Sequence, residues 1–235
     1  MLTPPEIARS LLAVGESKAR LPFGKMLLLA ILAGAYIALA GVGATAAAVT
    51  VESGSLAKLL SACVFPAGLS MVILAGSELF TGNCLMVMAL LERRITPVQL
   101  LRNWLTVYLG NAVGGAAVAA LAVYSHTASL FGDGLARSMV SIAESKAALG
   151  AGDAFLRGVL CNFLVCLAVW MAAASKRAEG KVIALFFPIL LFVLCGYEHC
   201  IANLYYLPAG AFAAAEYGVE TTLTLAGCLE NLAAV

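Results

Sequence analysis

The sequence predicts an all-α membrane protein in which two related segments interrupt membrane-spanning helices. Three observations support this prediction: 63% of the residues are hydrophobic, only 11% are charged, and the pattern Gly-x-Glu-x-x-x-x-Asn occurs twice. About a quarter of the residues of a soluble domain are charged, so this chain lacks the polar surface that water requires. Its mean hydropathy of +0.99 is typical of long membrane spans.

Long apolar segments define the candidate spans, and five occur along the chain: Met26–Thr50, Leu56–Leu91, Val98–Tyr124, Ala154–Ala174 and Val182–Ala215. A helix needs roughly 20 residues to cross the hydrocarbon core, so the second and fifth segments are too long for one straight span. Both also contain internal proline and glycine, including Pro66 and Pro188. Excess length with internal helix breakers predicts helices that unwind near the middle of the membrane.

The distribution of lysine and arginine predicts the orientation. Ten of these residues flank one set of segment ends, and the other ends carry only Lys58, Arg137, Lys146 and Arg157. The richer side is expected in the cytoplasm, so the N-terminus should be cytoplasmic and the loop 125–153 outside. The net charge of +1 gives no field that would attract nucleic acid, and no nucleic-acid partner is expected.

The repeated pattern appears as GSELFTGN at Gly76–Asn83 and as GYEHCIAN at Gly196–Asn203. The second and fifth segments enter the membrane from opposite sides, so the two repeats are inverted. Inverted repeats with broken helices place a solute site at their interface near the midplane. We therefore expect one transmembrane domain over residues 1–235, with half-repeats at about 26–124 and 154–235.

Two acidic residues lie in the middle of these apolar segments, where ionisable groups are costly and usually functional. For Glu78 and Glu198 we expect a structural role, with each carboxylate accepting backbone N–H groups that unwinding leaves free. Asn83 and Asn203 end the two motifs and are assigned to the same structural group at the helix breaks.

His199 is the strongest candidate for the solute pathway, because it lies inside the second break and its side chain titrates near neutral pH. It could donate a hydrogen bond or a proton to an anion, whereas the matching residue of the first repeat is Leu79. Thr81 adds a hydroxyl group within the first break. Asn162 lies in an apolar run, where an unpaired amide is costly. We expect it to bond His199 or backbone carbonyls, with helix–helix contact as the alternative.

Catalytic and metal-binding motifs are missing from the sequence. It has no glycine-rich phosphate loop, no HExxH helix and no GxSxG turn. Its seven cysteines lack metal-ligand spacing, so no enzyme activity, metal or cofactor is expected. The polar residues inside the membrane are few and mostly uncharged, which suits conduction of a small solute.

Four stretches resemble the formate/nitrite transporter family: AGSELFTGN (Ala75–Asn83), NWLTVYLGNAVGG (Asn103–Gly115), GVLCNFLVCLAVWMA (Gly158–Ala172) and GYEHCIANLYYLP (Gly196–Pro208). The resemblance implies an aquaporin-like fold of six helices, broken in helices 2 and 5, with a pore in each protomer of a homopentamer. It also implies a prokaryotic cytoplasmic membrane and passage of formate, nitrite or hydrosulfide, with protons as candidate partners.

The resemblance further implies roles for individual residues. His199 matches the central pore histidine, and Thr81 and Asn162 match polar residues that hydrogen-bond around it. Lys146, by itself an ordinary loop lysine, matches a lysine that draws anions toward the pore. Apolar constrictions, which disfavour a hydrated anion, are implied at Phe65, Leu69, Leu79 and Phe192. The anion would then pass His199 as the neutral acid or with a shared proton.

Only five of the six implied spans can be built, because the sequence ends at CLENLAAV, where the sixth would begin. We therefore expect the second half-repeat to be incomplete and the chain to be a fragment that does not conduct alone. Three functions stay open: an anion channel of this family, which includes hydrosulfide channels; a neutral-solute pore of the aquaporin type; and a non-conducting membrane scaffold. An aquaporin would carry paired Asn-Pro-Ala motifs, which this sequence does not contain.

Overall fold

The computed structural model describes all 235 residues and contains helices and turns but no strand. The helices of the first half are α1 (Pro4–Ala19), α2 (Phe23–Ala48), α3 (Gly54–Val64), α4 (Pro66–Ala75), α5 (Phe80–Asn83), α6 (Val87–Leu91) and α7 (Pro97–Tyr124). Those of the second half are α8 (Gly134–Ala147), α9 (Ala151–Ala173), α10 (Ala178–Leu194), α11 (Cys200–Tyr217) and α12 (Leu225–Ala234). Two short 3₁₀ turns lie at Cys84–Met86 and Thr127–Ser129.

Four helical stretches are long and apolar enough to cross a membrane: α2, the continuous pair α3–α4, α7 and α9. The second predicted segment is interrupted between α4 and α5, and the fifth is interrupted between α10 and α11. The prediction of an all-α protein with two broken helices is therefore confirmed. Each interruption coincides with one copy of the repeated motif.

The segment 125–153, which the sequence analysis treated as a loop, contains the helix α8. Its apolar residues recur every three or four positions, as in Leu135, Met139 and Ala143, and this row is buried. The buried face of α8 packs against α11, while its other face is polar. Amphipathic helices of this kind are too short and too polar to register as spans, which is why the hydropathy pattern did not reveal α8. The N-terminal helix α1 is amphipathic in the same way.

Small residues bring α2 and α7 into backbone contact. A Cβ atom on Gly34 would lie 2.1 Å from the carbonyl oxygen of Asn111, and one on Gly114 would lie 2.0 Å from that of Ile31. Such close approach is typical of membrane helices, where small residues replace the hydrophobic effect as the basis of packing. The close packing of α7 on α2 places the buried side chain of Asn111 beside the first helix break. The largest apolar cluster then joins α2 and α4 to α9, α10 and α11.

Candidate functional site

Both helix breaks begin with a glycine in the left-handed conformation, Gly76 at φ +77° and Gly196 at φ +70°. Glycine adopts this conformation without the steric penalty of a side chain, and it commonly terminates helices. In each break, the N–H group after the glycine donates 3.0 Å back to the carbonyl five residues earlier. The two copies of the motif thus end their helices by the same hydrogen bond.

The chain after the first break is held by Asn111 of α7. Its Oδ1 atom accepts the N–H of Phe80 at 3.0 Å, and its Nδ2 group donates to the carbonyls of Glu78 at 2.9 Å and Ala30 at 2.7 Å. One fully buried amide therefore satisfies backbone groups that the interrupted helix leaves free, as buried polar groups require.

The chain after the second break is held by His199 itself. Its Nδ1 atom accepts the N–H of Ala202 at 3.0 Å and so caps the start of α11. With Nδ1 acting as an acceptor, the proton of the neutral ring is on Nε2. That atom lies 3.3 Å from Oγ1 of Thr81 across the two halves of the fold. His199 is therefore arranged as a hydrogen-bond donor toward Thr81, and a second proton on Nδ1 would cost the helix cap.

A cavity of about 60 Å³ lies beside this contact and is lined by Thr81, His199 and Asn162, together with Cys161 and Cys200. The structure thus brings together three of the predicted pathway residues. The Oδ1 atom of Asn162 is buried and has no hydrogen-bond partner. The expected hydrogen bond from Asn162 to His199 or a backbone carbonyl is not formed.

The four predicted constriction residues lie around the pathway, and each is only 3% exposed: Phe65, Leu69, Leu79 and Phe192. The rings of Phe65 and Phe192 meet edge to face, with centroids 5.6 Å apart. The ring of Phe192 also stacks on that of His199, with centroids 5.5 Å apart and an angle of 18° between planes. Phe192, one of the four apolar residues, therefore contacts a residue that lines the polar cavity.

Two wider vestibules approach the breaks along the α3–α4 axis. The first, here the α8 vestibule, has a volume of about 340 Å³, is lined by Phe65, Phe192 and His199, and carries the charged residues Lys58, Lys146, Arg157 and Glu198. The second, here the α1 vestibule, has a volume of about 320 Å³, is lined by Leu69 and Leu79, and carries the charged residues Lys18, Glu78 and Lys181. Both vestibules contain more cationic than anionic side chains, and apolar side chains line each of them.

A chain of polar side chains supports the first break. Nζ of Lys18 in α1 donates to Glu78 Oε1 at 2.7 Å, and Nδ2 of Asn83 donates to Glu78 Oε2 at 2.7 Å. The same amide group of Asn83 donates to Asn103 Oδ1 in α7 at 2.8 Å. The buried carboxylate is thus neutralised by a lysine and oriented by an asparagine, as a charge inside a membrane protein requires.

An equivalent chain supports the second break. Nζ of Lys146 in α8 donates to both oxygens of Glu198, at 2.9 and 3.1 Å, and Asn203 donates to Glu198 Oε2 at 2.8 Å. Asn203 also donates to Asn231 Oδ1 in α12 at 2.8 Å. The expectation that the two carboxylates accept backbone N–H groups was wrong, because each carboxylate accepts from a lysine of a distant helix and from the asparagine of its own motif. Nζ of Lys146 is paired with the carboxylate of Glu198, which weakens its attraction for a solute anion. The role of Lys146 in drawing anions toward the pore stays a prediction.

Four members of these networks were missed as site residues: Lys18, Asn103, Asn111 and Asn231. A sequence signal existed for three of them. The tetrapeptide Glu-Ser-Lys-Ala occurs at 16–19 and again at 144–147, and Leu-x-Asn occurs at 101–103 and at 229–231, with the same interval between copies. These repeats lie outside the broken segments, and the comparison of the two motifs did not extend to them. Asn111 has no counterpart of this kind.

Comparison with known proteins gives consistent results. The family model described as formate/nitrite transporter matches residues 5–235. A protein described as a probable formate transporter from Methanothermobacter thermautotrophicus is 39% identical over 229 residues, which cover 89% of this chain and 83% of that protein.

Two solved structures share the fold. One, described as a pentameric formate channel with formate bound, has a TM-score of 0.81 and 30% identity, with 91% of this chain and 89% of that one covered. Another, described as an FNT family ion channel, has a TM-score of 0.86 and 31% identity, with 97% and 90% covered. These relatives are transporters and channels, not enzymes. The family model covers nearly the whole chain, and the chain shares the fold of these two structures. It therefore belongs to the formate/nitrite transporter family.

Proposed function

We propose that this protein conducts a small monovalent anion of a weak acid, of the formate type, across the cytoplasmic membrane of a prokaryote. Family membership and the similarity to a structure described as holding formate support this proposal. The excess of lysine and arginine on the α1 side favours a cytoplasmic α1 vestibule and an external α8 vestibule. The similarity to a pentameric channel supports a homopentamer with one pathway in each protomer.

The observation that carries the proposal is the contact of 3.3 Å between His199 Nε2 and Thr81 Oγ1, beside a small cavity that Asn162 and Glu198 also line. A cavity needs roughly 10–15 Å³ to hold one water molecule, so about 60 Å³ leaves room for a solute of a few non-hydrogen atoms. That space suits formate, nitrite or hydrosulfide without a hydration shell. A bulky or fully hydrated solute does not fit.

The apolar constrictions decide the form in which the solute crosses. An ionised carboxylate that loses its hydration without a partner is strongly disfavoured, whereas the neutral acid is not. In the cavity, the Nε2–H group of His199 donates to the carbonyl oxygen of the neutral acid. Nδ1 is engaged by Ala202, so His199 acts by hydrogen bonding. The proton that neutralises the solute comes from water in the vestibule.

Flux measurements in liposomes test this function on the 235-residue chain and, in parallel, on a six-span form in which α12 continues into a complete sixth span. Formate, nitrite and hydrosulfide are offered separately at two pH values, to wild-type protein and to His199→Asn. Asparagine can cap a helix with its side-chain oxygen but offers no Nε2–H group. We expect formate flux to fall about two- to tenfold in the variant, because a hydrogen bond between neutral groups contributes about 0.5–1.5 kcal/mol.

The panel also separates the alternatives. Hydrosulfide flux that exceeds formate and nitrite flux would assign a different substrate to the same pathway. A six-span form that is folded and inserted but passes none of the three anions would favour the non-conducting scaffold. Flux confined to the six-span form would agree with the expectation that the 235-residue chain does not conduct alone. Unchanged formate flux in His199→Asn would show that the Nε2–H group of His199 does not assist passage of the solute.

A further inference from the structure

We infer that Lys58 and Arg157 collect anions from solution at the α8 vestibule and so set the rate at which solute reaches the constriction there. This inference rests on the proposed function, because it concerns access to the same pathway. It assigns anion capture to two residues that the family motifs do not include. The observation behind it is the pairing state of each cation that lines the vestibules.

The three cations of the α8 vestibule are not equivalent. Lys146 is held by both oxygens of Glu198, and its side chain is only 15% exposed. Its charge is therefore largely cancelled at short range. Lys58 of α3 and Arg157 of α9 are exposed and form no ion pair and no side-chain hydrogen bond. Asp153 precedes Arg157 by one helical turn, and the two side chains form no ion pair either.

Free charge therefore differs between the two ends of the pathway. In the α8 vestibule, two cations remain after the pair of Lys146 with Glu198 is set aside. In the α1 vestibule, Lys18 is paired with Glu78, and Lys181 is the one cation left. Both ends attract anions, but the α8 end carries more uncompensated positive charge.

The shape of the vestibule makes this charge effective. A recess with apolar walls focuses the field of its charges, and such fields raise local ion concentrations and association rates by roughly 10–10³. Lys58 and Arg157 project from different helices that both line the recess above Phe65 and Phe192. An anion drawn between them is delivered to the constriction. The attraction acts on exposed charges, so salt weakens it, since the screening length is about 10 Å at 0.1 M.

The test uses the form that conducts in liposomes, with formate supplied at subsaturating concentration on the α8 side. The double variant Lys58→Gln with Arg157→Gln should lower initial flux roughly three- to tenfold at low ionic strength. At high ionic strength the two proteins should differ little. The charge-conserving variant Lys58→Arg with Arg157→Lys should restore the wild-type rate and its salt dependence.

Arg137→Gln is the matched control. Arg137 lies on the same side of the protein but donates to the carbonyl of Gly132 and does not line the α8 vestibule. Its replacement removes a nearby positive charge and should leave flux unchanged. A loss equal to that of the double variant would show that overall surface charge acts, and would overturn the assignment to Lys58 and Arg157.

Competition by inorganic sulfate provides a second measurement that does not depend on comparing absolute rates. A divalent anion is attracted more strongly to the two free cations, but it does not pass the apolar constriction. Sulfate should therefore inhibit wild-type uptake at constant ionic strength, and the double variant should lose this inhibition. Unchanged salt and sulfate responses in the double variant of the conducting form would overturn the inference alone, whereas absence of conduction by the six-span form would overturn the proposed function.

Discussion

Nζ of Lys146 lies 2.9 Å from Oε2 of Glu198, and Nζ of Lys18 lies 2.7 Å from Oε1 of Glu78. Each glutamate lies in a helix break, and each lysine comes from an amphipathic helix that precedes its half of the fold. Both carboxylates are 5% exposed, so they depend on their lysines for neutralisation. The two halves therefore secure their broken helices by the same ion pair, although the breaks differ in what they present to the solute.

Removal of one partner should destabilise the protein more than removal of both. Lys146→Gln leaves the buried Glu198 without its cation, at a cost of about 3 kcal/mol in the free energy of unfolding. The double variant Lys146→Gln with Glu198→Gln leaves no unpaired charge and should recover part of that loss. Thermal unfolding in detergent measures both. A double variant no more stable than Lys146→Gln would contradict the role of the pair in neutralising Glu198.

The two functions of His199 can be separated by two substitutions. His199→Ala removes both the cap on Ala202 and the donor toward Thr81, and it should lower stability by about 1 kcal/mol. His199→Asn retains a capping oxygen and should unfold near the wild-type temperature. Equal stability losses in the two variants would show that the cap is not what holds α11 at this end.

Asn111 and Asn162 should respond in opposite ways to replacement by leucine. Asn111→Leu leaves the N–H of Phe80 without its acceptor and removes the donor to the carbonyl of Glu78, which should cost about 3 kcal/mol. Asn162 has an unpartnered amide oxygen, so Asn162→Leu should change stability little while narrowing the cavity. Unfolding measurements with a parallel formate flux assay distinguish the two effects. A stable Asn111→Leu protein would contradict the role of Asn111 at the break.

The contact between α2 and α7 should not tolerate a single methyl group. Gly114→Ala would place its Cβ atom against the carbonyl of Ile31, and we expect a loss of about 3 kcal/mol in stability. Gly152→Ala is the matched control, because nothing lies within 4 Å of the Cβ position at that helical site. The control should be neutral or slightly stabilising, since alanine favours helix over glycine. A Gly114→Ala protein as stable as the control would contradict the close backbone contact.

Acid should release the segment that joins α11 to α12. The N–H of Thr222 donates to Glu144 at 2.6 Å and the hydroxyl of Thr221 donates at 2.9 Å, and these bonds hold the pKa of Glu144 below its ordinary value of 4.5. A lowered folded-state pKa means that the contribution is present above the unfolded pKa and is lost as pH falls through the folded value.

Hydrogen exchange of residues 218–224 provides the measurement for this segment. Protection should decrease below about pH 4.5 in the wild-type protein. In Glu144→Gln, which cannot ionise, protection should be lower at neutral pH and independent of pH across this window. A wild-type segment with constant protection through the acidic range would contradict the role of Glu144.

Local features of the sequence were sufficient to predict the class of protein and the positions of the breaks. Hydropathy identifies spans because the membrane excludes polar surface, and Gly76 and Gly196 mark the breaks because glycine readily adopts a left-handed backbone. His199 and Thr81 could be selected as candidates, since polar groups inside an apolar helix are costly and usually functional, and their roles stay a prediction. These inferences needed only neighbouring residues along the chain.

The sequence by itself thus determined an all-α membrane protein with two broken helices and a histidine in one of them. The tertiary structure decided which groups satisfy the breaks: Lys18 and Lys146 neutralise the glutamates, Asn111 closes the first break, and Asn162 keeps an unpartnered oxygen. These partners are dozens of residues apart in the chain. Their contacts depend on how amphipathic and spanning helices pack and cross, and no local periodicity records that geometry.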